Sequence, residues 1–117
     1  MVREEVQQYL PLTEATYYIL LALVSPLHGY GVMQWIHETS RGLVTVGAGT
    51  LYNAFSLLLK EGLIVKVDED ERRKYYRLTT KGKQVLLRQI ERLEVMTAAG
   101  QDAKASLAEA GKGDTDA

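Results

Sequence analysis

Apolar residues recur along the chain at two different periods. From Glu14 to Val24 they occupy most of the circumference of a 3.6-residue helix, which predicts a largely buried first helix. Thr13 is placed to cap it, Glu14 sits where the helix dipole favours an acid, and Leu12 and Tyr17 are spaced as a hydrophobic staple. Ser25-Pro26 stops it. A second helix is predicted from Gly29 or Tyr30 to Thr39, with Tyr30, Met33 and Ile36 inward. Leu43 to Val46 is β-branched and extended, a minimal strand. Ala48 to Lys60 is a third helix with Leu51, Ala54, Phe55, Leu58 and Leu59 in one stripe, and Gly62 follows at the position where φ is usually positive. The period then changes to two. Leu63 to Val67 and Lys74 to Leu78 alternate on either side of a turn at Asp68 to Glu71, which is the pattern of a β-hairpin. Thr79 or Thr80 caps a fourth helix reaching about Ala99, and from Gly100 the small, polar residues are expected to be disordered.

Helix, helix, short strand, helix, strand, strand, helix is the order of a winged helix-turn-helix. The expected fold class is therefore α+β, mainly α, with an additional C-terminal dimerisation helix. Residues 1–12 form an arm, 13–79 the winged helix, 80–99 the dimerisation helix and 100–117 a tail. With 117 residues, one domain is the default, and a domain of this size buries only about two-thirds of its unfolded surface. The last helix carries an apolar band of Leu86, Leu87, Ile90, Leu93 and Met96. A short chain has little left to cover it, so a second copy is the expected partner, and packing on the chain's own first helix can hold at the same time.

The third helix has an unusual wet face. Tyr52, Asn53, Ser56 and Lys60 point away from the apolar stripe, where a helix needing only solubility would carry Glu and Lys. In a winged helix this element can enter a major groove, with Ala48, Gly49, Tyr52 and Asn53 reaching base edges first. Gly47, Ala48 and Gly49 allow close backbone approach, Asn53 can pair with an adenine edge, Ser56 can donate or accept, and the Tyr52 hydroxyl can meet a phosphate. The plainer alternative is that the glycines only start a helix and Tyr52 covers a core edge.

Net charge is −1, yet the charges are segregated. Arg72, Arg73, Lys74, Arg77, Lys81, Lys83, Arg88 and Arg92 fall in a window whose only acid is Glu91. On the second hairpin strand, Arg73, Tyr75 and Arg77 share one face and Lys74, Tyr76 and Leu78 the other. Cations interleaved with aromatics suit backbone phosphates, although charge also protects an ordinary edge strand from aggregation. The acids Asp68 to Glu71 leave two options: contacts come from the basic start of the strand, or the acids pair with neighbouring arginines until DNA displaces them.

Other classes find little support. The chain has no cysteine, His28 and His37 are not spaced as a helical metal pair, and no Ser/His/acid set stands out, so neither metal nor cofactor is expected. His28 reads as a cap or packing residue of the second helix, and Trp35 as core or interface. Gly29-Tyr30-Gly31 and Gly47-Ala48-Gly49 lack the preceding strand of a nucleotide site. Glu4 and Glu5 stand where a signal peptide would be basic, and the longest apolar run, Ile19 to Val24, is too short for a membrane span, so a cytoplasmic protein is expected. A winged-helix protein-interaction adaptor that binds no DNA stays open.

His28-Gly29-Tyr30-Gly31, Gly49-Thr50-Leu51-Tyr52, Glu61-Gly62-Leu63-Ile64, Arg73-Lys74-Tyr75-Tyr76-Arg77-Leu78-Thr79 and Lys81-Gly82 together resemble the PadR family of bacterial transcriptional regulators, over about Leu12 to Gly82. The resemblance implies a winged-helix dimer that binds a pseudo-palindromic operator, usually as a repressor, and in many members releases it when a small molecule binds. It places Thr50 and Tyr52 on the recognition helix, makes Tyr52 a backbone contact, and makes Arg73-Lys74-Tyr75-Tyr76 the wing. The DNA-binding set expected is thus Ala48, Gly49, Thr50, Tyr52, Asn53, Ser56, Lys60, Arg72, Arg73, Lys74 and Tyr75. The short final helix resembles the subgroup that includes sensors holding flat aromatic drugs between subunits, but it offers Val95 and Met96 where a stacking tryptophan would be needed. Asn53 stands where the family often has proline.

Overall fold

Three of the helices begin where a side chain accepts from the first turn's N–H groups. In the computed structural model, which describes residues 3–70 and 72–113, the Oγ1 of Thr13 accepts from the Thr16 N–H at 3.2 Å and starts α2, Glu14–Ala22. Before it lies a short helix α1, Arg3–Gln7, in the segment read as an arm. The chain then forms β1, Leu27–His28, and α3, Gly29–Thr39, capped by the Nδ1 of His28 accepting from Gly31 N–H at 3.0 Å. The remaining elements are α4, Ala48–Lys60; β2, Ile64–Glu69; β3, Lys74–Leu78; and α5, Thr80–Gly113. Thr79 caps α5 by accepting from Gly82 N–H at 3.0 Å.

The three strands form one antiparallel sheet in the order β1-β3-β2. The third strand is β1, not Leu43 to Val46 as the β-branched pattern suggested. Two residues are too few for alternation to show, and Leu27 and His28 are strands only because Tyr76 and Tyr75 lie beside them. Leu43 to Val46 instead follows a left-handed pair, Arg41 (φ 56°) and Gly42 (φ 77°). The Ser40 hydroxyl fixes this loop, accepting from Val44 N–H at 3.0 Å and donating to Val44 O at 3.1 Å.

The core gathers Ile19, Leu20 and Leu23 from the α2 region, Val32 and Ile36 from α3, Leu51, Phe55 and Leu58 from α4, and Val85 and Leu86 from α5. Ile64, Tyr76 and Leu78 close it from the sheet. On α3 the inward face is Gly29, Val32 and Ile36, so Tyr30 is exposed rather than inward; the apolar stripe is rotated about one position from the predicted one. Leu59 likewise is 39% exposed while Phe55 and Leu58 of the same stripe are buried.

α4 ends in a Schellman motif: Gly62, at φ 73°, donates to Leu59 O at 3.1 Å and Leu63 to Leu58 O at 2.9 Å. Leu63 O then accepts from Thr79 N–H at 3.0 Å. The start of α5 packs so tightly on this carbonyl that a Cβ at Gly82 would collide with it. Lys81 reinforces the junction, its Nζ donating to Glu61 O at 3.1 Å and standing 4.9 Å from the centre of the Tyr9 ring.

α5 runs on to Gly113, so the segment from Gly100 to Gly113 is helical where disorder was expected; residues 114–117 of that tail lie outside the described residues. Alanines at 98, 99, 103, 105, 108 and 110 explain this: they are the best helix formers and outweigh Gly100, which costs about 1 kcal/mol. From Glu94 outward the described side chains are exposed, and the molecule extends 62 Å along its long axis. No helix among the described residues is long and apolar enough to cross a membrane.

Candidate nucleic-acid interface

Burying Leu51, Phe55 and Leu58 forces the opposite side of α4 outward. Ala48, Gly49, Thr50, Tyr52, Asn53, Ser56 and Lys60 are all exposed there. Gly47 caps the helix without a side-chain acceptor, which leaves first-turn N–H groups open. A Cβ at Gly47 or Gly49 would meet nothing within 4 Å, and neither has a positive φ. The chain's own packing therefore gives no reason for glycine at either place. Ser56 donates to Tyr52 O at 3.0 Å, so its hydroxyl offers a partner mainly an acceptor.

Tyr52 is held on two sides. Its ring meets Phe55 edge-on, 6.0 Å between centres and 86° between planes. Its hydroxyl hangs over the first residue of α3, where a Cβ at Gly29 would lie 2.6 Å from the phenolic oxygen. Gly29 thus makes room for the Tyr52 hydroxyl, and the His28-Gly29-Tyr30-Gly31 and Gly49-Thr50-Leu51-Tyr52 stretches meet here. Nothing in the one-dimensional pattern signals this contact.

The same hydroxyl borders a cavity of about 410 Å³, walled by His28 and Tyr30 on one side and by Arg72, Arg73 and Lys74 on the other. Of the outward residues of α4, Tyr52 alone lines it, together with the cations at the start of β3. Tyr75 is half-buried, its ring edge-on to His28 with centres 5.4 Å apart, while Tyr76 is a core residue 4.7 Å from Phe55. Ala48, Gly49, Thr50, Asn53, Ser56 and Lys60 of α4 do not line this cavity, and neither does Tyr75.

At the wing tip the acids make a turn rather than pairing with arginine. Asp70 Oδ1 accepts from the N–H groups of Arg72 and Arg73 at 2.9 and 2.8 Å. These bonds hold the Asp70 carboxyl below its ordinary pKa. Glu69 pairs with Lys66 at 3.3 Å. Among the described residues Arg72 and Arg73 make no ion pair; Glu71 lies outside the described residues. Both arginines line the cavity.

The basic window of residues 72–92 is not one surface. Arg77 donates to Leu78 O at 2.9 Å, Lys81 is engaged with Glu61, Arg88 pairs with Glu91 at 3.3 Å, and Arg92 lines a different cavity. Only Arg72, Arg73 and Lys74 reach the α4 side. On α5, Leu86 belongs to the chain's own core and Ile90 packs against that core, because one face of the helix seals the winged helix. Leu87 and Met96 are exposed, and Leu93 is half-buried.

A trihelical core with a three-stranded wing, presenting a polar helix face beside a cationic strand, defines a winged-helix DNA-binding transcriptional regulator. The chain belongs to the transcriptional regulator PadR-like family, whose model matches residues 18–88. That family consists of transcriptional regulators, not enzymes. Among solved structures, the chain is similar to a transcriptional regulator from Clostridium thermocellum, with 26% identity, 85% of this chain and 96% of that one covered, and a TM-score of 0.63. It is also similar to a PadR-like transcription factor from Bacteroides fragilis, with 26% identity, 76% and 88% covered, and a TM-score of 0.63. RosR of H. salinarum matches at 25% identity, with 83% and 98% covered and a TM-score of 0.62. No curated protein matches the sequence.

Proposed function

We propose that the chain works in a bacterial cytoplasm as a homodimeric repressor whose hold on its operator is relieved by a small apolar or aromatic molecule. Ala48, Gly49, Thr50, Tyr52, Asn53, Ser56 and Lys60 face the major groove, while Arg72, Arg73, Lys74 and Tyr75 meet the flanking backbone. One observation carries the DNA contact: Tyr52, on the outward side of α4, and the cations at the start of β3 border the same cleft. Two copies then present two such helices to successive major grooves, about 34 Å apart.

Dimerisation is supported by the exposed apolar residues of α5, namely Leu87, Val95, Met96 and Leu107, together with the half-buried Leu93. A cavity of about 410 Å³ between α2 and α5 supports the effector reading; Tyr17, Tyr18, Leu93 and Met96 line it. Its size is within the range of small-molecule sites, and burial pushes the pKa of the Tyr17 phenol up. A ligand there relieves repression only as far as it prefers the spacing of recognition helices that DNA rejects. A ligand that binds equally well with and without operator is no inducer.

The test is selection of bound duplexes from a random pool, followed by titration across a salt series. With about three phosphates neutralised per subunit, log K falls against log salt with a slope near −5. Asn53→Ala relaxes preference at one base pair by about 1–3 kcal/mol. No selected sequence, or no slope, contradicts the reading; a uniform loss in the Asn53 variant reassigns that residue to positioning.

A further inference from the structure

The cleft contains an unresolved conflict between donors. His28 Nδ1 accepts from Gly31 N–H at 3.0 Å. A neutral imidazole has one acceptor nitrogen, so this bond puts the ring proton on Nε2. Nε2 lies 3.4 Å from Arg73 Nη1, and a guanidinium can only donate. Two N–H donors therefore face each other. The ring cannot switch tautomer to accept from Arg73, because a proton on Nδ1 would confront Gly31 N–H and undo the cap of α3. Asp70, the carboxylate of the wing turn, is close enough to Arg73 and His28 to feel both electrostatically, yet among the described residues it forms no hydrogen bond to either side chain; its Oδ1 accepts from the N–H groups of Arg72 and Arg73.

We propose that His28 is a DNA-contacting residue: its Nε2–H and the Arg73 guanidinium donate together to one oxygen of a backbone phosphate seated in the cleft between α3 and the wing. This rests on the DNA-binding reading above. An anionic oxygen is the chemistry that satisfies both donors at once, and Arg72, Lys74 and the Tyr52 hydroxyl border the same space to meet the remaining oxygens. A base edge would not serve as well. The cleft lies beside α4 and under the wing rather than at the α4 N-terminal turn, and the groups lining it are mostly donors. The α3 cap acquires a second consequence: by holding the tautomer, Gly31 N–H keeps the outward nitrogen a donor.

Two measurements test this. In protein labelled with ¹⁵N-histidine, the free state shows His28 as the Nε2–H tautomer. Adding the selected duplex moves its Hε2 resonance downfield, while His37, on the far end of α3, stays put. Inorganic phosphate at matched ionic strength leaves both unchanged; a saturable response to inorganic phosphate without one to duplex overturns the proposal in favour of a free-anion site. In the second, His28→Asn retains a capping oxygen but has no Nε2–H. It keeps the wild-type melting temperature yet binds every duplex about tenfold more weakly per site, as a lost hydrogen bond to a charged group implies. Its salt slope is unchanged because no charge is lost, whereas Arg73→Gln flattens the slope. Wild-type affinity in a folded His28→Asn variant, with an unmoved Hε2 resonance, reduces His28 to a cap. If the unaltered protein binds no duplex, the DNA-binding reading itself fails, a result distinct from either outcome.

Discussion

Replacing Gly29 by alanine separates function from folding at one methyl group. The added Cβ would stand 2.6 Å from the Tyr52 hydroxyl oxygen, 3.0 Å from Cζ and 3.2 Å from Cε1. Carbon contacts relax near about 3.5–4.0 Å, so the phenol must move by about 1 Å. It cannot slide deeper, because Phe55 braces its other edge. It swings outward instead, taking the hydroxyl away from the cleft shared with Arg72 to Lys74. Folding changes little: alanine is favoured over glycine in a helix by up to about 1 kcal/mol, which offsets the displaced ring. Tyr52 is already half in solvent, 52% exposed, so moving it opens no core. Melting followed by circular dichroism should therefore shift by no more than about 5 °C. DNA binding loses the hydroxyl–phosphate bond, about 1.5–3 kcal/mol, or ten- to a hundredfold per half-site. Fluorescence anisotropy with a labelled duplex measures this for Gly29→Ala, Tyr52→Phe and the double variant. Because both changes remove the same contact, the double variant should bind no worse than the weaker single one. Additive losses, or wild-type affinity in Gly29→Ala, refute the bracing of Tyr52 by Gly29.

Gly82→Ala has the opposite profile. Its methyl meets the Leu63 carbonyl, backbone that cannot rotate away, so α5 must lift off the end of α4. The bond from Thr79 N–H to Leu63 O weakens with it, and together with overpacking the cost is about 2–4 kcal/mol. Thermal unfolding should fall by about 10–20 °C, and a change under about 3 °C would show that the junction is pliable. Asp70→Ala should loosen the wing and speed amide hydrogen exchange at Arg72 and Arg73, whereas Asp70→Asn keeps an acceptor. Since those N–H groups lower the carboxyl's pKa in the folded state, the stabilisation is full above the unfolded value of about 3.9 and is lost as pH falls through the lower folded value. Exchange protection that persists in Asp70→Ala would mean the hairpin register holds the turn unaided.

How much of this was legible beforehand depended on whether the signal was local. Thr13, His28 and Thr79 cap the helices, and Gly62 ends α4, because each acts on residues within three or four positions and leaves a spacing to read. The polar face of Tyr52, Asn53, Ser56 and Lys60 was equally plain from helical period. What could not be read were pairings at long range. β1 exists through Tyr75 and Tyr76, almost fifty residues on. Gly29 is small because of Tyr52, and Gly82 because of Leu63. Charge proximity in sequence misled in the other direction: of the cations from Arg72 to Arg92, three share the cleft, while Arg77, Lys81, Arg88 and Arg92 are turned to other neighbours. The extent of α5 was underestimated because small residues read equally as tail or as helix, and alanine decided for helix.

The central claim is that two copies of the α4 face and its wing lie on one duplex. Hydroxyl-radical and dimethyl-sulfate footprinting on a selected duplex addresses it directly. Two protected major-groove patches related by a dyad are expected, about 34 Å apart, each flanked by backbone protection that disappears in a variant combining Arg73→Ala and Lys74→Ala. A single patch, or protection unaffected by those substitutions, would contradict it.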